Sequence, residues 1–161
     1  MKYFTTPVFY LFMAMILLNV IPSGALLAQQ CPLPDVEGIV TGNVYTYSSV
    51  ISTLGQPTSY WSGKGEEGLD EEYYFDTNIL RFRENGSFSA FVLKNNRFAI
   101  YTSRLNGGIK VGDSLSKFRQ LGFGSLTLNT DGNYRFNIED FWIDIEHNNG
   151  IITKLRFSIP V

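Results

Sequence analysis

Two short stretches of the chain place apolar residues at helical spacing, and the runs around them alternate apolar with polar positions. Tyr47, Val50, Ile51 and Leu54 fall at i, i+3, i+4 and i+7, so one helix face carries all four. Gly55 and Pro57 end that run. The spacing predicts a helix over 47–54, too short to persist in water and therefore held by packing. A second helix is predicted over 114–121, with Leu115, Phe118 and Leu121 as its apolar stripe. Thr46 and Asp113 are the expected N-caps, accepting from the first free backbone N–H groups. Gly55 and Gly122 are the expected closures, in the left-handed region.

Period-two segments rich in β-branched and aromatic residues predict strands at 73–76, 79–83, 87–93 and 97–102, then at 125–128, 134–138, 141–147 and 151–159. Residues 62–72, glycine-rich and acidic, read as a solvated loop. In the last hairpin a three-residue loop, Asn148-Asn149-Gly150, sets His147 opposite Ile151. That register pairs Phe141 with Phe157 and Ile143 with Leu155 on a buried side. On the open side it pairs Trp142 with Arg156 and Asp144 with Lys154. The earlier hairpin turns at Glu84-Asn85-Gly86, with Leu80 and Phe82 set against Phe88 and Ala90. Few helices and many antiparallel strands predict an α+β fold: one curved antiparallel sheet with short helices on one face.

The two helical stretches are related. Val111, Asp113, Phe118, Leu121 and Gly122 lie 67 positions after Val44, Thr46, Ile51, Leu54 and Gly55. Residues 42–161 thus read as one domain of two approximate repeats, 42–102 and 108–161. An extended leader, 29–41, precedes it. Ahead of that, Lys2, the apolar run from Val8 to Val20 (broken only by Asn19) and the small Ala28 make residues 1–28 a secretory signal peptide. The run from Val8 to Ile21 has 14 residues, and a membrane span takes about 20. An exported protein is expected, periplasmic or extracellular, with no stable membrane span once the signal is cleaved. Cys31 is the one cysteine, so the chain has no internal disulfide. Gln30 precedes it where lipidation requires a small residue, so no lipid anchor is expected.

Charge narrows the partners. Removing 1–28 takes one of the 13 basic residues and none of the 15 acidic ones, which leaves a mildly acidic chain without a basic run. Such a chain has no electrostatic reason to hold nucleic acid. Catalytic signals are sparse. The one histidine, His147, stands at a turn, and with one cysteine it cannot make a zinc site. No serine sits in a nucleophile elbow, and Gly63–Gly68 lacks phosphate-loop spacing. The carboxylate pairs Glu71/Glu72 and Glu139/Asp140 are the material for an undetected hydrolase. No metal and no cofactor is expected. Binding is the remaining class, with Trp142, Arg156, Asp144, Lys154, Tyr60 and Trp61 as candidates, because exposed Trp, Tyr and Arg anchor interfaces. The expected function is a non-enzymatic exported module that binds a protein partner through its sheet. Carbohydrate or small-ligand binding by the same aromatic residues is the alternative.

The phrase Gly108-Ile109-Lys110-Val111-Gly112-Asp113-Ser114, followed by Phe118-Arg119-Gln120-Leu121-Gly122, resembles a motif of the β-lactamase-inhibitor-protein-like and SmpA/OmlA-like domains. About 15 residues of the second half match closely, and about 12 of the first half match weakly, from Gly42 to Gly55, with Tyr45 in place of the second glycine. The resemblance implies an exported bacterial scaffold, helical segments packed on an antiparallel sheet, that binds other proteins or assists envelope assembly. The disulfides of the inhibitor protein cannot exist here.

Overall fold

The computed structural model of the protein describes residues 33–65, 68–101, 108–121, 125–138 and 141–159. The expected signal segment, Cys31, Gly122 and the Glu139/Asp140 pair lie outside the described residues. Helix α1 occupies Tyr47–Leu54 and buries Val50 and Leu54. Thr46 Oγ1 accepts from the Ser49 N–H at 3.2 Å, and Ser49 Oγ accepts from the Thr46 N–H at 2.9 Å, closing a capping box. Gly55, at φ 83°, donates its N–H to Ile51 O and ends the helix.

The second helical segment, Leu115–Leu121, is a 3-10 helix. Its apolar residues recur every third position, the period at which 3-10 side chains align, and none has an apolar i+4 companion. Asp113 does not act as the expected cap. Its carboxylate turns backward and accepts from the Lys110 N–H at 3.0 Å and from Lys117 Nζ at 2.8 Å. Burial pushes this carboxyl up, but the two donors and the lysine charge outweigh it and hold Asp113 below its usual range.

The expected leader is partly folded. Strands β1 (Asp35–Val36) and β2 (Ile39–Val40) form a hairpin, and β1 also pairs with β7 (Ile100–Tyr101) in a small three-stranded sheet. Val36 and Ile39 are buried. The strand expected over 97–102 shrinks to Ile100–Tyr101 in the described residues; ahead of it, the Ala99 N–H is taken by Glu37 Oε1 at 2.8 Å. The main sheet is antiparallel throughout and has eight strands. Their order is β3 (Ser59–Gly65), β4 (Gly68–Phe75), β5 (Asn78–Arg83), β6 (Phe88–Leu93), β11 (Ile151–Ser158), β10 (Phe141–Asn148), β9 (Tyr134–Ile138) and β8 (Ser125–Leu128). Most of the expected 62–72 loop is therefore the β3–β4 hairpin. Polar, glycine-rich sequence serves there because an edge pair need not be covered on both faces.

One face of this sheet carries Tyr73, Leu80, Phe91, Phe157, Ile143 and Phe136 as successive cross-strand neighbours, all buried. They form a single core with Val50 and Leu54 of α1 and with Phe118 of the 3-10 helix. The α+β architecture, an antiparallel sheet with helical segments on one face, is thus the one the pattern predicts.

Strand register differs from expectation at both inner hairpins. The last turn has two residues, Asn149 and Gly150, both at positive φ (49° and 77°), and a bulge follows between Glu146 and His147. Ile143 therefore pairs with Phe157 and Asp144 with Arg156, two positions away from the expected partners. Ile151 is left 45% exposed, and Ile152 is buried instead. A matching bulge between Arg81 and Phe82 sets Phe91 opposite Leu80 and puts Ala90 beside Arg81 on the other face. Each bulge adds one residue and so reverses which side chains point inward beyond it.

The two halves are tied in by the same backbone hydrogen bonds. Gly42 N–H donates to Phe88 O, Phe88 N–H to Asn43 O, and Tyr45 N–H to Gly86 O, at 2.7, 2.9 and 2.8 Å. Gly112 N–H donates to Ile152 O, Ile152 N–H to Asp113 O, and Leu115 N–H to Gly150 O, at 2.9, 2.9 and 2.7 Å. Gly112 thus matches Gly42, 70 positions earlier, and not a residue 67 positions earlier. The same offset lays Gly108-Ile109-Lys110-Val111-Gly112 on Gly38-Ile39-Val40-Thr41-Gly42, so the first copy has both glycines and begins inside the expected leader. The offset returns to 67 at Leu54 and Leu121, since the stretch from Tyr45 to Leu54 is three residues longer than that from the matching Leu115 to Leu121.

At the centre β6 and β11 pair Leu93 with Leu155, Val92 with Arg156 and Phe91 with Phe157. Because Phe88 matches Ile152, Val92 matches Arg156, Phe91 matches Leu155 and Leu93 matches Phe157. The outer two pairs exchange under a local two-fold axis, and the Val92–Arg156 pair lies on it.

Candidate functional site

The face of the main sheet turned away from the helical segments carries charged and aromatic side chains on either side of a small apolar patch of Ile79, Val92 and Ala90. On β10, Asp144 has Arg156 of β11 and Arg135 of β9 as cross-strand partners. Asp144 Oδ1 accepts from Arg135 Nε at 2.8 Å, and Oδ2 accepts from Arg156 Nη2 at 3.1 Å. The carboxylate is tucked beneath them: the Asp144 side chain is 17% exposed and that of Arg156 58%. Trp142 lies two residues along the same strand and hence on the same face. The Arg135 guanidinium carbon stands 4.5 Å from its ring centroid. Trp142 remains 37% exposed. Lys154 Nζ donates to Glu146 Oε1 at 2.6 Å.

The structure therefore gathers Trp142, Asp144, Arg156 and Lys154, but with different partners from those the sequence pattern assigned. Arg135, not Arg156, stacks on Trp142, and Glu146, not Asp144, holds Lys154. The two-position register change accounts for both. Arg135 went unnoticed although a signal existed. Ile138 pairs with Phe141, and counting back along the two strands brings Arg135 opposite Asp144.

Trp61 lies on the same face near the other edge. Its row runs from Trp61 on β3 to Glu72 on β4 and Arg81 on β5. Glu72 accepts from Arg81 Nε at 2.8 Å and from the Tyr74 hydroxyl. Burial pushes Glu72 up, but these bonds and the Arg81 charge outweigh it and set the carboxyl below its usual range. The Trp61 indole covers Gly63 so closely that a Cβ there would meet its ring at 2.2 Å. From β3 to β10 is five strand spacings, or about 24 Å along the sheet. Tyr60, the neighbour of Trp61, points to the opposite face and packs edge-on to Tyr47 and Tyr73, with centroids at 5.2 and 5.0 Å.

Among the described residues, the candidate carboxylates Glu71 and Glu72 do not converge. Glu71 and Glu72 are consecutive on β4 and so face opposite ways. His147 accepts from the Gly150 N–H at 3.4 Å through Nδ1, and its ring lies 5.3 Å from that of Tyr134. Among the described residues no three His, Cys, Asp or Glu side chains gather as metal ligands, and no helix is long and apolar enough to cross a membrane.

No protein-family model, no curated protein and no solved structure matches the chain.

Proposed function

We propose that this chain is an exported, non-enzymatic module that binds a protein partner on the open face of its main sheet. The observation that carries this reading is the Arg135–Trp142 stack anchored by Asp144. Trp and Arg are the residues that most often concentrate binding energy at protein interfaces. Holding both in place before contact lowers the ordering cost of association. Their arrangement has little to do with folding, since exposed ion pairs contribute only about 0–1 kcal/mol. Export to the periplasm or the exterior rests on Lys2, the short apolar run and Ala28.

Carbohydrate binding is the second reading, and Trp61 favours it. Its indole covers Gly63 and is 45% exposed, an aromatic surface of the kind that sugar rings stack on.

The test compares the mature chain with Trp142→Ala and Trp61→Ala variants, crosslinked in the native envelope fraction and read by mass spectrometry. A protein should be recovered by the parent and by Trp61→Ala and lost from Trp142→Ala. Trp142→Ala should cost less than about 2 kcal/mol of stability, against about 3–5 kcal/mol for a buried aromatic. Salt-insensitive binding of polysaccharide that disappears in Trp61→Ala would move the assignment to the second reading.

A further inference from the structure

On the helix side of the sheet, away from the site described above, three tyrosines pack together beside one carboxylate. Tyr47 opens helix α1, Tyr60 lies on β3, and Tyr73 and Glu71 lie on β4. Tyr73 is 1% exposed and forms the back of the cluster, with its hydroxyl donating to Glu71 Oε2 at 3.1 Å. In front of it stand Tyr47 and Tyr60, 47% and 40% exposed. Their ring planes meet at 72° with centroids 5.2 Å apart, so they form two walls of an open corner.

We infer that Tyr47, Tyr60 and Glu71 form a binding site for an organic ammonium group. The face of an aromatic ring carries negative charge density and attracts a cation held within about 6 Å of its centroid. Two rings at a steep angle let one cation touch both faces, whereas a sugar ring needs a single flat platform. Glu71 supplies the full charge. Among the described side chains, which exclude that of Lys64, no ammonium or guanidinium group pairs with it. Its hydrogen-bonded neighbours are neutral: burial first, and then Glu71 itself, push the Tyr60 and Tyr73 hydroxyls up, so both stay protonated as donors. The nearby start of α1 carries the opposite sign, but the Thr46–Ser49 capping box already occupies the N–H groups of those two residues.

The probe is choline, with 3,3-dimethylbutan-1-ol as its uncharged isostere and N-acetyl-lysine amide as a primary ammonium. Each is titrated into the full chain and followed by the aromatic side-chain signals in NMR, with sodium chloride matching the ionic strength. Choline should shift Tyr47 and Tyr60 saturably at millimolar concentration, and the isostere should not. Tyr60→Ala should weaken choline about two- to five-fold, the range expected for one exposed ring. Glu71→Gln, which keeps shape and hydrogen bonding, should weaken it as well. A stronger response to the lysine amide would identify side-chain ammonium as the preferred form of the same ligand class. Equal shifts with the isostere or with sodium chloride, or choline binding unchanged in Glu71→Gln, would overturn the site.

Discussion

The first and second halves of this protein make the same backbone connections and then use them for different ends. In both, a glycine turn docks against the start of the last strand of its own half through the same three N–H···O bonds. In both, that last strand bulges one step after its turn and meets its counterpart at the sheet centre. The differences lie on the surfaces. Where the first half sets Ile79 beside Val92, the matching second-half positions are Asp144 beside Arg156. Where the first half enters its helix through a hydroxyl capping box, the second enters through a carboxylate held by a lysine. Buried positions, which set the packing, are mostly apolar in both copies, although Thr41 and Asn78 are buried where the second half has Val111 and Ile143. Exposed ones have diverged: beside the axis an apolar pair stands in one half and an ion pair in the other.

Equivalent positions in unequal surroundings give the largest expected difference. Gly86 and Gly150 occupy matching turns at φ 78° and 77°. A Cβ on Gly86 would stand 2.5 Å from Tyr45 O, a backbone atom, whereas a Cβ on Gly150 meets nothing within 4 Å. Gly150→Ala should therefore cost about 1 kcal/mol, the strain of positive φ alone, and Gly86→Ala about 3 kcal/mol because backbone must also move. Urea unfolding of the two variants measures the gap. Equal losses would show that the two turns are packed alike against their glycine segments.

The fold class, α1 with its cap, and most strand positions could be read from apolar periodicity, because burial imposes that period directly. Register could not. Counting residues across Asn148-Asn149-Gly150 gives a three-residue loop; the actual combination of a two-residue turn and a bulge has the same local composition and a pairing shifted by two positions. The 3-10 helix was visible in the spacing of Leu115, Phe118 and Leu121 but is indistinguishable by composition from a short α-helix. The first glycine phrase, Gly38 to Gly42, was hidden by reading the repeat from the helices, whose lengths differ, instead of from the turns, whose hydrogen bonds match. At the open face the residue types were legible and their partners were not, since each partner depends on register.

The two helix entries should part company in acid. Thr46→Ala should cost about 1 kcal/mol at every pH, since a hydroxyl cap does not titrate. Asp113 is different: its carboxyl lies below its usual range in the folded chain. A depressed folded pKa means that its contribution is fully present above the unfolded value near 3.8 and is lost as pH falls through the lower folded value. Asp113→Asn should thus destabilise the chain by at most about 1 kcal/mol at neutral pH, the scale of a partly exposed ion pair. That deficit should shrink below pH 4 or so, where the parent loses the same interaction. A deficit independent of pH would mean that Lys117 contributes nothing through charge.

The smallest expected effect on folding is the one that separates folding from binding at the two-fold axis. The pair Asp144→Ile with Arg156→Val copies into the second half the apolar pair that the first half already carries beside the axis. An exposed ion pair and a cross-strand β-branched pair each contribute about 0.2–1 kcal/mol, so the exchange should leave stability within about 1 kcal/mol of the parent. Arg135 loses its carboxylate, but its side chain is 34% exposed and is solvated without a large penalty. What the exchange removes is the clamp that keeps Arg135 over Trp142. Anisotropy of the Trp142 fluorescence, isolated in a Trp61→Phe background, should fall, and capture of the partner should fall with it. If unfolding instead shows a loss of about 3 kcal/mol or more, the size of an uncompensated buried charge, then the Arg135–Asp144–Arg156 group holds the fold together and its place at the binding face has to be given up.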